Sequence, residues 1–491
     1  MADLSFPRRL AQLAEEDPDA LAIACGDAAT TRAGLVSQAN RLARELAGLG
    51  VGVGDLVTIA LPNSIDFVVA AVAAWTLGAT PQPVSSRLPK LELDAIVALA
   101  DPPVVLGVEP DAYPGRACLP VGHQPPAGLD DGPLPDATSP SWKAPTSGGS
   151  TGRPKLIVAG DPATYVDGFG AFLGFTPGGA LVMPGPLYHN GPFIWTSQAL
   201  LRGSAVALLE RFDAEATLAA VEAHHADVVY LVPTMMKRIW RLPEAVRERF
   251  DLSSLRTVWH LAEPCPAWLK QVWIDWLGAD RIFELYAGTE GQASTVITGT
   301  DWLAHPGSVG RPAPGTVQIA DADGRELPAG EHGEVWLRST REAPTYRYVG
   351  AEARTREGGW ESLGDRGWLD EDGYLHLGDR AGDMILTGGA NVYPAEVEAA
   401  IAEHPAVRSC VVFGVPDEDK GNVVHAVVEA DADLDVEGLL AFLRERLVAY
   451  KLPRSVERVD EALRDDAGKV RRGELRTAHL ERLRSAEPPT A

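Results

Sequence analysis

The sequence has few basic residues relative to acidic ones. It carries 44 Lys and Arg against 68 Asp and Glu, a net charge of −24 over 491 residues. Nucleic acids and anionic membranes are bound through basic surfaces, so this balance argues against either partner. The same charge repels small anionic ligands at long range, but exposed charges are screened beyond roughly 8 Å at physiological salt. A few local basic side chains therefore decide whether such anions bind. Lysine is scarce, at Lys90, Lys143, Lys155, Lys237, Lys270, Lys420, Lys451 and Lys469.

Cysteines and long apolar runs are also few. The four cysteines are Cys25, Cys118, Cys265 and Cys410, dispersed without the spacing of metal ligands. This usage is typical of reduced thiols in a cytoplasmic protein. The N-terminal MADLSFPRRL has no apolar signal core, and the run 67–77 is too short to span a bilayer. These features predict a cytosolic location.

The length of the chain predicts two or more domains, because one hydrophobic core rarely serves 491 residues. Residues 56–84 alternate an apolar strand, an Ala/Val-rich helix and a second strand, which indicates an α/β sheet. Near the C-terminus, predicted strands at 407–413 and 422–429 alternate with helices at 395–404 and 436–447, as in a small α+β unit.

The stretch from Thr146 to Lys155, TSGGSTGRPK, is the most informative in the chain. Three glycines and four hydroxyl side chains make a poor helix, yet they leave backbone N–H groups able to surround an anion. The pattern differs from a Walker loop, because Lys155 follows Pro154 and precedes Leu156. We predict a phosphate-binding loop. On its own, such a decapeptide could equally be a flexible surface turn.

Further motifs follow this loop in a fixed order, and together they resemble the adenylate-forming superfamily of acyl-CoA synthetases, adenylation domains and luciferases. The resemblance runs from about Thr31 to about Arg476. The motifs that carry it after the loop are PLYHNGP (186–192), VWHLAEP (258–264), ELYAGTEG (284–291), SLGDRGWLDEDGYLHLGDR (362–380), MILTGGANVYPAEV (384–397) and RDDAGKVRR (464–472).

The resemblance implies an α/β fold in two parts. Residues 1–380 would form a large N-terminal domain that binds nucleotide and acid, with α/β-layered subdomains and a small β-barrel-like subdomain. Residues 381–491 would form a small mobile α+β domain. The hinge would lie near Gly382, where the family usually has Asp or Lys.

The resemblance also implies the site residues. Thr289 and Glu290 would serve the α-phosphate and the metal, which agrees with the usual protein site of Mg²⁺, one or two carboxylates beside substrate phosphates. Asp365 and Arg380 would hold the ribose, and Gly388 and Gly389 would line the path of coenzyme A. The remaining ATP- and AMP-binding residues would be Thr146, Ser147, Gly148, Gly149, Ser150, Thr151, Gly152, Lys155, Ala262, Glu263, Pro264, Glu284, Leu285, Tyr286, Ala287 and Gly288.

Two further residues would act at the reacting carboxylate. Lys469, in a Gly-Lys motif, would bridge the carboxylate of the acid and the α-phosphate. His189 would lie between the nucleotide and acyl pockets, although a lone histidine is more often a buried, hydrogen-bonded core residue. The acyl pocket would be lined by the regions of His189, Trp195, Tyr230 and Trp259.

The implied reaction is a two-step acid–thiol ligation. With ATP and Mg²⁺ the enzyme would form an acyl-adenylate, and after domain rotation the thiol of coenzyme A would displace AMP. The stretches assigned to the acyl pocket are rich in Trp, Tyr and Met, which indicates a bulky, mostly apolar acid. Residues 186–192 contain no Asp to pair with an amine, so we expect an acid without an α-amino group.

Three alternatives remain open. Ala287, where the family usually has Gly, and Gly382 could mark an enzyme specialised to the second half-reaction with a preformed acyl-adenylate. The acceptor could instead be a separate carrier protein or an amine. The third alternative is a binding protein without catalytic activity. The presence of Lys155, Glu290 and Lys469 argues against it.

Overall fold

The computed structural model describes residues 4–148, 154–378, 383, 385–387, 390–417, 421–465 and 468–486. Several predicted site residues lie outside the described residues: Gly149, Ser150, Thr151, Gly152, Arg380, Gly382, Gly388 and Gly389. The proposed boundary at 380/381 lies outside them as well and stays a prediction.

The helices of the described chain are numbered in order. They are α1 (Phe6–Glu16), α2 (Arg32–Gly48), α3 (Ile65–Thr76), α4 (Lys90–Ala100), α5 (Asp167–Phe172), α6 (Asn190–Arg202), α7 (Ala214–Ala223), α8 (Pro233–Trp240), α9 (Glu244–Arg247), α10 (Ala267–Leu277), α11 (Gly299–Ala304), α12 (Pro394–Ala402), α13 (Val436–Arg444) and α14 (Arg472–Ala486). Pro233 and Thr234 lie in the first turn of α8, since proline fits that position.

The strands are numbered in the same way. They are β1 (Leu21–Cys25), β2 (Ala28–Thr31), β3 (Leu56–Ile59), β4 (Thr80–Pro83), β5 (Val104–Leu106), β6 (Ala117–Leu119), β7 (Thr146–Gly148), β8 (Pro154–Ala159), β9 (Ala180–Met183), β10 (Ala205–Leu208), β11 (Val228–Leu231), β12 (Thr257–Leu261), β13 (Ile282–Ala287), β14 (Ser294–Thr298), β15 (Ser308–Pro312), β16 (Thr316–Ala320), β17 (Gly333–Arg338), β18 (Tyr346–Val349), β19 (Arg354–Arg356), β20 (Trp360–Ser362), β21 (Arg366–Leu369), β22 (Leu375–Gly378), β23 (Ile385–Thr387), β24 (Ala390–Val392), β25 (Val407–Asp417), β26 (Gly421–Ala430) and β27 (Ser455–Val459).

The predicted unit at 56–84 is confirmed. Strands β3 and β4 are parallel and belong to a four-stranded sheet in the order β4-β3-β5-β6, with α3 as their crossover. Ser64 caps α3 by accepting from the N–H of Phe67 at 3.2 Å. Every residue of α3 from Phe67 to Thr76 is buried, which explains its uniformly apolar sequence.

A second, larger sheet places the site. Its strands β1, β10, β9, β11, β12 and β13 pair in parallel, in that order. The carboxyl ends of parallel strands meet at one edge, where ligands of α/β folds bind. Three predicted motifs follow β9, β12 and β13 at this edge, namely the segments with His189, Ala262 and Glu290.

Antiparallel strands continue this sheet and form the predicted small β subdomain. It comprises β14, β15, β16, β17 and β19 to β22, and its own core includes Ile319, Val335 and Leu375. The predicted hairpin turn in DEDG is confirmed, because β21 and β22 pair antiparallel across it. Asp365 lies directly before β21.

The C-terminal unit is a five-stranded sheet in the order β24-β23-β26-β25, with β27 on β26. Its two faces carry separate cores, one including Leu439 and Leu443 of α13 and the other packed against Leu475 and Leu480 of α14. It contacts the N-terminal part directly, since Arg241 at the end of α8 donates to the carbonyl of His404 at 3.1 Å.

All four cysteines are free thiols. Within the described residues, no helix has both the length and the apolar character needed to cross a membrane.

Candidate active site

The phosphate loop begins and ends in a β-hairpin. Strand β7 pairs antiparallel with β8, so that Ser147 lies opposite Lys155, and β18 pairs with the other edge of β8. Thr146 Oγ1 accepts from Gln82 Nε2 at 2.8 Å, and fully buried Gln82 accepts in turn from Thr58 at 2.7 Å. The base of the loop is therefore held rigidly, whereas Gly149 to Gly152 lie outside the described residues.

Lys155 and Glu290, which the sequence separates by more than a hundred positions, lie together. Lys155 Nζ is 3.6 Å from Glu290 Oε1 and 3.9 Å from the centre of the Tyr348 ring. The Tyr348 hydroxyl donates to the same Oε1 at 2.5 Å. Burial, together with Glu290, raises the pKa of Tyr348, so the phenol remains a donor. The carboxylate is thus oriented from two sides.

Gly288 lets the turn after β13 pack closely against Glu290. A Cβ built on Gly288 would lie 2.9 Å from Glu290 Oε2 and 2.5 Å from Leu363 Cδ1, so a side chain here would displace one of them. Thr289 lies between these residues in the turn. A buried carboxylate with one fixed oxygen beside a phosphate loop fits the donor chemistry of Mg²⁺.

His189 is held at the N-terminus of α6 by a buried asparagine. Asn63 Nδ2 donates to the carbonyl of Gly185 at 2.9 Å, and Asn63 Oδ1 accepts from the N–H of Leu187 at 2.8 Å. His189 Nε2 lies 3.7 Å from Asp465 Oδ2 of the C-terminal part. Burial lowers the pKa of His189 well below its usual range, and the charge of Lys469 adds to this effect. The imidazole is therefore neutral and lies near the predicted adenylation lysine.

The loop that carries Lys469 also touches the motif after β12. Oε2 of Glu263 accepts from Thr234, from its N–H at 3.1 Å and from its hydroxyl at 2.8 Å. Its Oε1 is buried, has no hydrogen-bond partner among the described residues, and faces Gly468. Burial raises the pKa of Glu263 to about 7. Ala262, directly before it, has a φ of 74°, in the left-handed region.

Asp365, which we predict to hold the ribose, adjoins Tyr286 of the predicted nucleotide-binding residues. The Tyr286 hydroxyl donates to Asp365 Oδ2 at 2.8 Å. Ala287 ends β13 opposite Ser294 and is exposed. Its φ is not among the positive values of the described non-glycine residues, so the methyl group causes no backbone strain.

Glu284 has a different environment from its neighbours in the motif. Its Oε2 accepts from Lys270 Nζ at 2.5 Å, and both side chains are almost fully buried. His260, its register partner on β12, is fully buried beside them. Burial raises the pKa of Glu284, and Lys270 opposes this effect. The carboxylate of Glu284 is thus engaged in the core, and nucleotide contact at this position would fall to the backbone. Leu285 likewise packs against the main core.

Three of the predicted acyl-pocket residues form one aromatic cluster. The Trp195 ring lies 5.3 Å from Tyr230 and 5.7 Å from Trp259 between centroids. Trp259 Nε1 donates to the carbonyl of Leu173 at 2.9 Å, whereas Trp195 Nε1 is buried and has no partner in the part of the chain that the structure describes. Gly191 leaves room for Tyr230, since a Cβ there would lie 2.3 Å from the phenol oxygen.

Sequence reasoning missed several residues at this site. They are Lys143, Asn190, Thr234, Tyr348 and Asp465. Asn190 and Asp465 lie within predicted motifs, at 186–192 and 464–472. Lys143 precedes the phosphate loop by three residues, and the scarcity of lysine could have drawn attention to it. Thr234 and Tyr348 lie in ordinary helix and strand sequences, where no local pattern marks them.

Comparison with known proteins identifies the family. Residues 10–347 match the model of the AMP-binding enzyme family, and residues 396–469 match the AMP-binding enzyme C-terminal domain. A feruloyl-CoA synthase of an Amycolatopsis species is 34% identical over 96% of this chain and 98% of its own. A Mycobacterium tuberculosis CoA ligase for a methyl-dioxo-octahydroindenyl-propanoyl group is 30% identical, over 96% of this chain and 98% of its own. The ATP-bound structure of MatB from Rhodopseudomonas palustris superimposes with a TM-score of 0.80 at 27% identity, covering 96% and 99%.

The chain belongs to the AMP-binding enzyme family. It has the fold expected from the sequence, with a large N-terminal and a small C-terminal domain, and the reaction class of the ATP-dependent acid–CoA ligases. Acid–CoA ligases of this class act on a carboxylic acid, ATP and coenzyme A.

Proposed function

We propose that this ligase activates a bulky, mostly apolar carboxylic acid. The observation that carries the proposal is the convergence of the C-terminal loop, with Asp465 and Lys469, on His189 beside the aromatic cluster of Trp195, Tyr230 and Trp259. Relatives that act on a feruloyl group and on a fused-ring propanoyl group support an aryl or polycyclic acid.

In the first step, a carboxylate oxygen of the acid attacks the α-phosphorus and pyrophosphate leaves. Lys469 neutralises the charge that develops between carboxylate and phosphate, and Lys155 binds the phosphate end of ATP. Glu290 would hold Mg²⁺, which supplies charge neutralisation at the phosphates. Thr289 donates to the α-phosphate, and Asp365 with Arg380 holds the ribose.

In the second step, the thiol of coenzyme A attacks the acyl carbonyl and AMP leaves. We propose that the C-terminal domain, beginning near residue 381, rotates about Gly382. Lys469 is thereby withdrawn, and Gly388 and Gly389 then line the path of the thiol. One site can serve both reactions through such gating.

The decisive experiment is acid-dependent ATP–pyrophosphate exchange without coenzyme A, across fatty, aryl and polycyclic acids. Each aryl acid is paired with its α-amino counterpart as a matched control. We expect exchange with at least one apolar acid and none with the α-amino acids. Exchange with the α-amino acids alone would overturn the proposed substrate class. Absence of exchange with every acid would favour an enzyme specialised to the second half-reaction.

Product analysis with coenzyme A then tests the acceptor. A thioester of coenzyme A is expected; adenylate formation without thioester would favour a separate carrier protein or an amine. Ala287 is exposed and has no positive φ, so its backbone gives no support to an enzyme limited to the second half-reaction. The absence of nucleic-acid and membrane partners and the cytosolic location remain predictions from composition.

A further inference from the structure

Lys143 is a buried lysine with a neutral hydrogen-bond partner. Its side chain is almost completely enclosed, and its Nζ donates to Asn190 Oδ1 at 2.5 Å. Lys270, buried to a similar degree, instead has the Glu284 carboxylate at 2.5 Å. A buried ammonium is costly unless a charge compensates it, so the environment of Lys143 implies an anion beyond Asn190.

Lys143 connects two parts of the active site. It precedes the phosphate loop by three residues, and its carbonyl accepts from the N–H of Ala159 at 3.0 Å, which extends the pairing of the loop hairpin. Asn190 is the first residue of α6 and follows His189 directly. The ammonium therefore lies between the base of the phosphate loop and the helix that carries His189.

The charges around Lys143 leave a surplus of positive charge. Burial lowers the pKa of Lys143 to about 8, whereas Glu290 and Asp161 favour its charged form. Asp161 is already paired with Arg341, with N–O distances of 2.5 and 2.7 Å. Glu290 is shared with Lys155 at 3.6 Å. The carboxylate that favours the charged form of Lys143 is thus the one already paired with Lys155, an arrangement that an anionic ligand would balance.

We propose that Lys143 is a second cationic residue for the β- and γ-phosphates of ATP, and that Asn190 holds its ammonium in place. We assign Lys143 to the phosphates of ATP, and not to the carboxylate of the acid, because Lys143 lies at the base of the phosphate loop and Glu290 favours its charged form. This inference rests on the adenylation function proposed above.

The test compares binding of a β,γ-imido analogue of ATP with binding of AMP, by calorimetry and without any acid. Lys143→Met keeps the length of the side chain and removes its charge. Loss of a hydrogen bond to a charged group should weaken binding of the analogue roughly 10- to 100-fold, whereas AMP binding should change less than about threefold. Lys90→Met, at an exposed lysine paired with Asp94, is the control and should change neither.

A charge-retaining variant and thermal unfolding provide two further tests of the assignment. Lys143→Arg retains the charge and should keep most of the preference for the analogue, and thermal unfolding of each variant verifies the fold. Equal weakening of the analogue and AMP, or an increased KM for the acid alone in exchange assays, would overturn the assignment. If the wild-type protein binds the analogue but catalyses ATP–pyrophosphate exchange with none of the acids, the proposed substrate class is rejected. The proposed role of Lys143 is then unaffected.

Discussion

A Cβ atom built on Gly468 would lie 1.0 Å from Oε1 of Glu263. The two residues belong to opposite sides of the active site, one beside the predicted adenylation lysine and the other in the motif after β12. Gly468 also has a φ of 77°. In the observed arrangement of the loop that carries Lys469, a side chain at residue 468 would overlap the carboxylate of Glu263.

Gly468→Ala should prevent this arrangement. We expect ATP–pyrophosphate exchange to fall on the order of 10²–10³, the effect of losing a charge-stabilising contact, because Lys469 no longer reaches the α-phosphate. Gly373→Ala is the matched control, with a φ of 79° and nothing within 4 Å of the added Cβ. Glu263→Ala combined with Gly468→Ala should recover part of the lost exchange. Equal losses for Gly468→Ala and Gly373→Ala would show that backbone strain, not the contact, is responsible.

Lys469→Ala separates the two half-reactions. It should reduce exchange on the order of 10²–10³, because the charge developing at the α-phosphate is no longer neutralised. Thiolation of a supplied acyl-adenylate should be retained, since the second step does not use this lysine. Lys451→Ala, another lysine of the C-terminal domain, paired with Glu396, is the control. Equal loss of both half-reactions would contradict the proposed alternation of domains.

Glu263 should make stability depend on pH. Burial raises its folded-state pKa to about 7 from a usual 4.5, so the folded protein holds a proton that the unfolded chain has released. Its contribution to the free energy of unfolding is therefore lost as pH rises through this window, by about 3 kcal/mol in all. Glu263→Gln removes this dependence and should gain stability relative to the wild type between pH 4.5 and pH 8. Urea unfolding of both proteins at several pH values would show it, and parallel pH profiles would contradict the burial of this carboxyl group.

Much of the architecture could be predicted from the sequence because its signals are local. The βαβ unit at 56–84, the hairpin after Asp365 and the alternating C-terminal unit follow from apolar periodicity and turn residues. The phosphate loop could be recognised because glycine and hydroxyl residues rarely cluster in packed elements.

The contacts that complete the site could not be predicted in this way. Lys143 lies 47 positions from Asn190, and Tyr348 lies 58 from Glu290. Such pairs depend on how strands and helices meet in space, and no local pattern in one sequence specifies them. Glu284 illustrates the same limit, because its motif suggested nucleotide contact while its carboxylate pairs with Lys270 in the core.

Tyr348→Phe should weaken the function of Glu290. The hydroxyl donates to Glu290 Oε1 at 2.5 Å, and loss of such a bond to a charged group costs about 1.5–3 kcal/mol, or roughly 10- to 100-fold in exchange rate. The concentration of Mg²⁺ needed for half-maximal exchange should rise with it. Tyr346→Phe, two positions earlier on the same strand, removes a bond to Glu361 instead and should have little effect on the Mg²⁺ requirement. The same shift in both variants would attribute the effect to packing.

Ala262, not Ala287, is the strained alanine of this site. Its φ of 74° lies where a Cβ costs roughly 1–2 kcal/mol. Ala262→Gly should therefore raise the free energy of unfolding by about 1 kcal/mol, after allowance for the greater freedom of glycine in the unfolded chain. Ala287→Gly, at an exposed position without positive φ, should leave stability unchanged or slightly lower it. Urea unfolding of the two variants compares them directly. If Ala287→Gly raises the free energy of unfolding and Ala262→Gly does not, the strain lies at the end of β13. That result would support an enzyme limited to the second half-reaction.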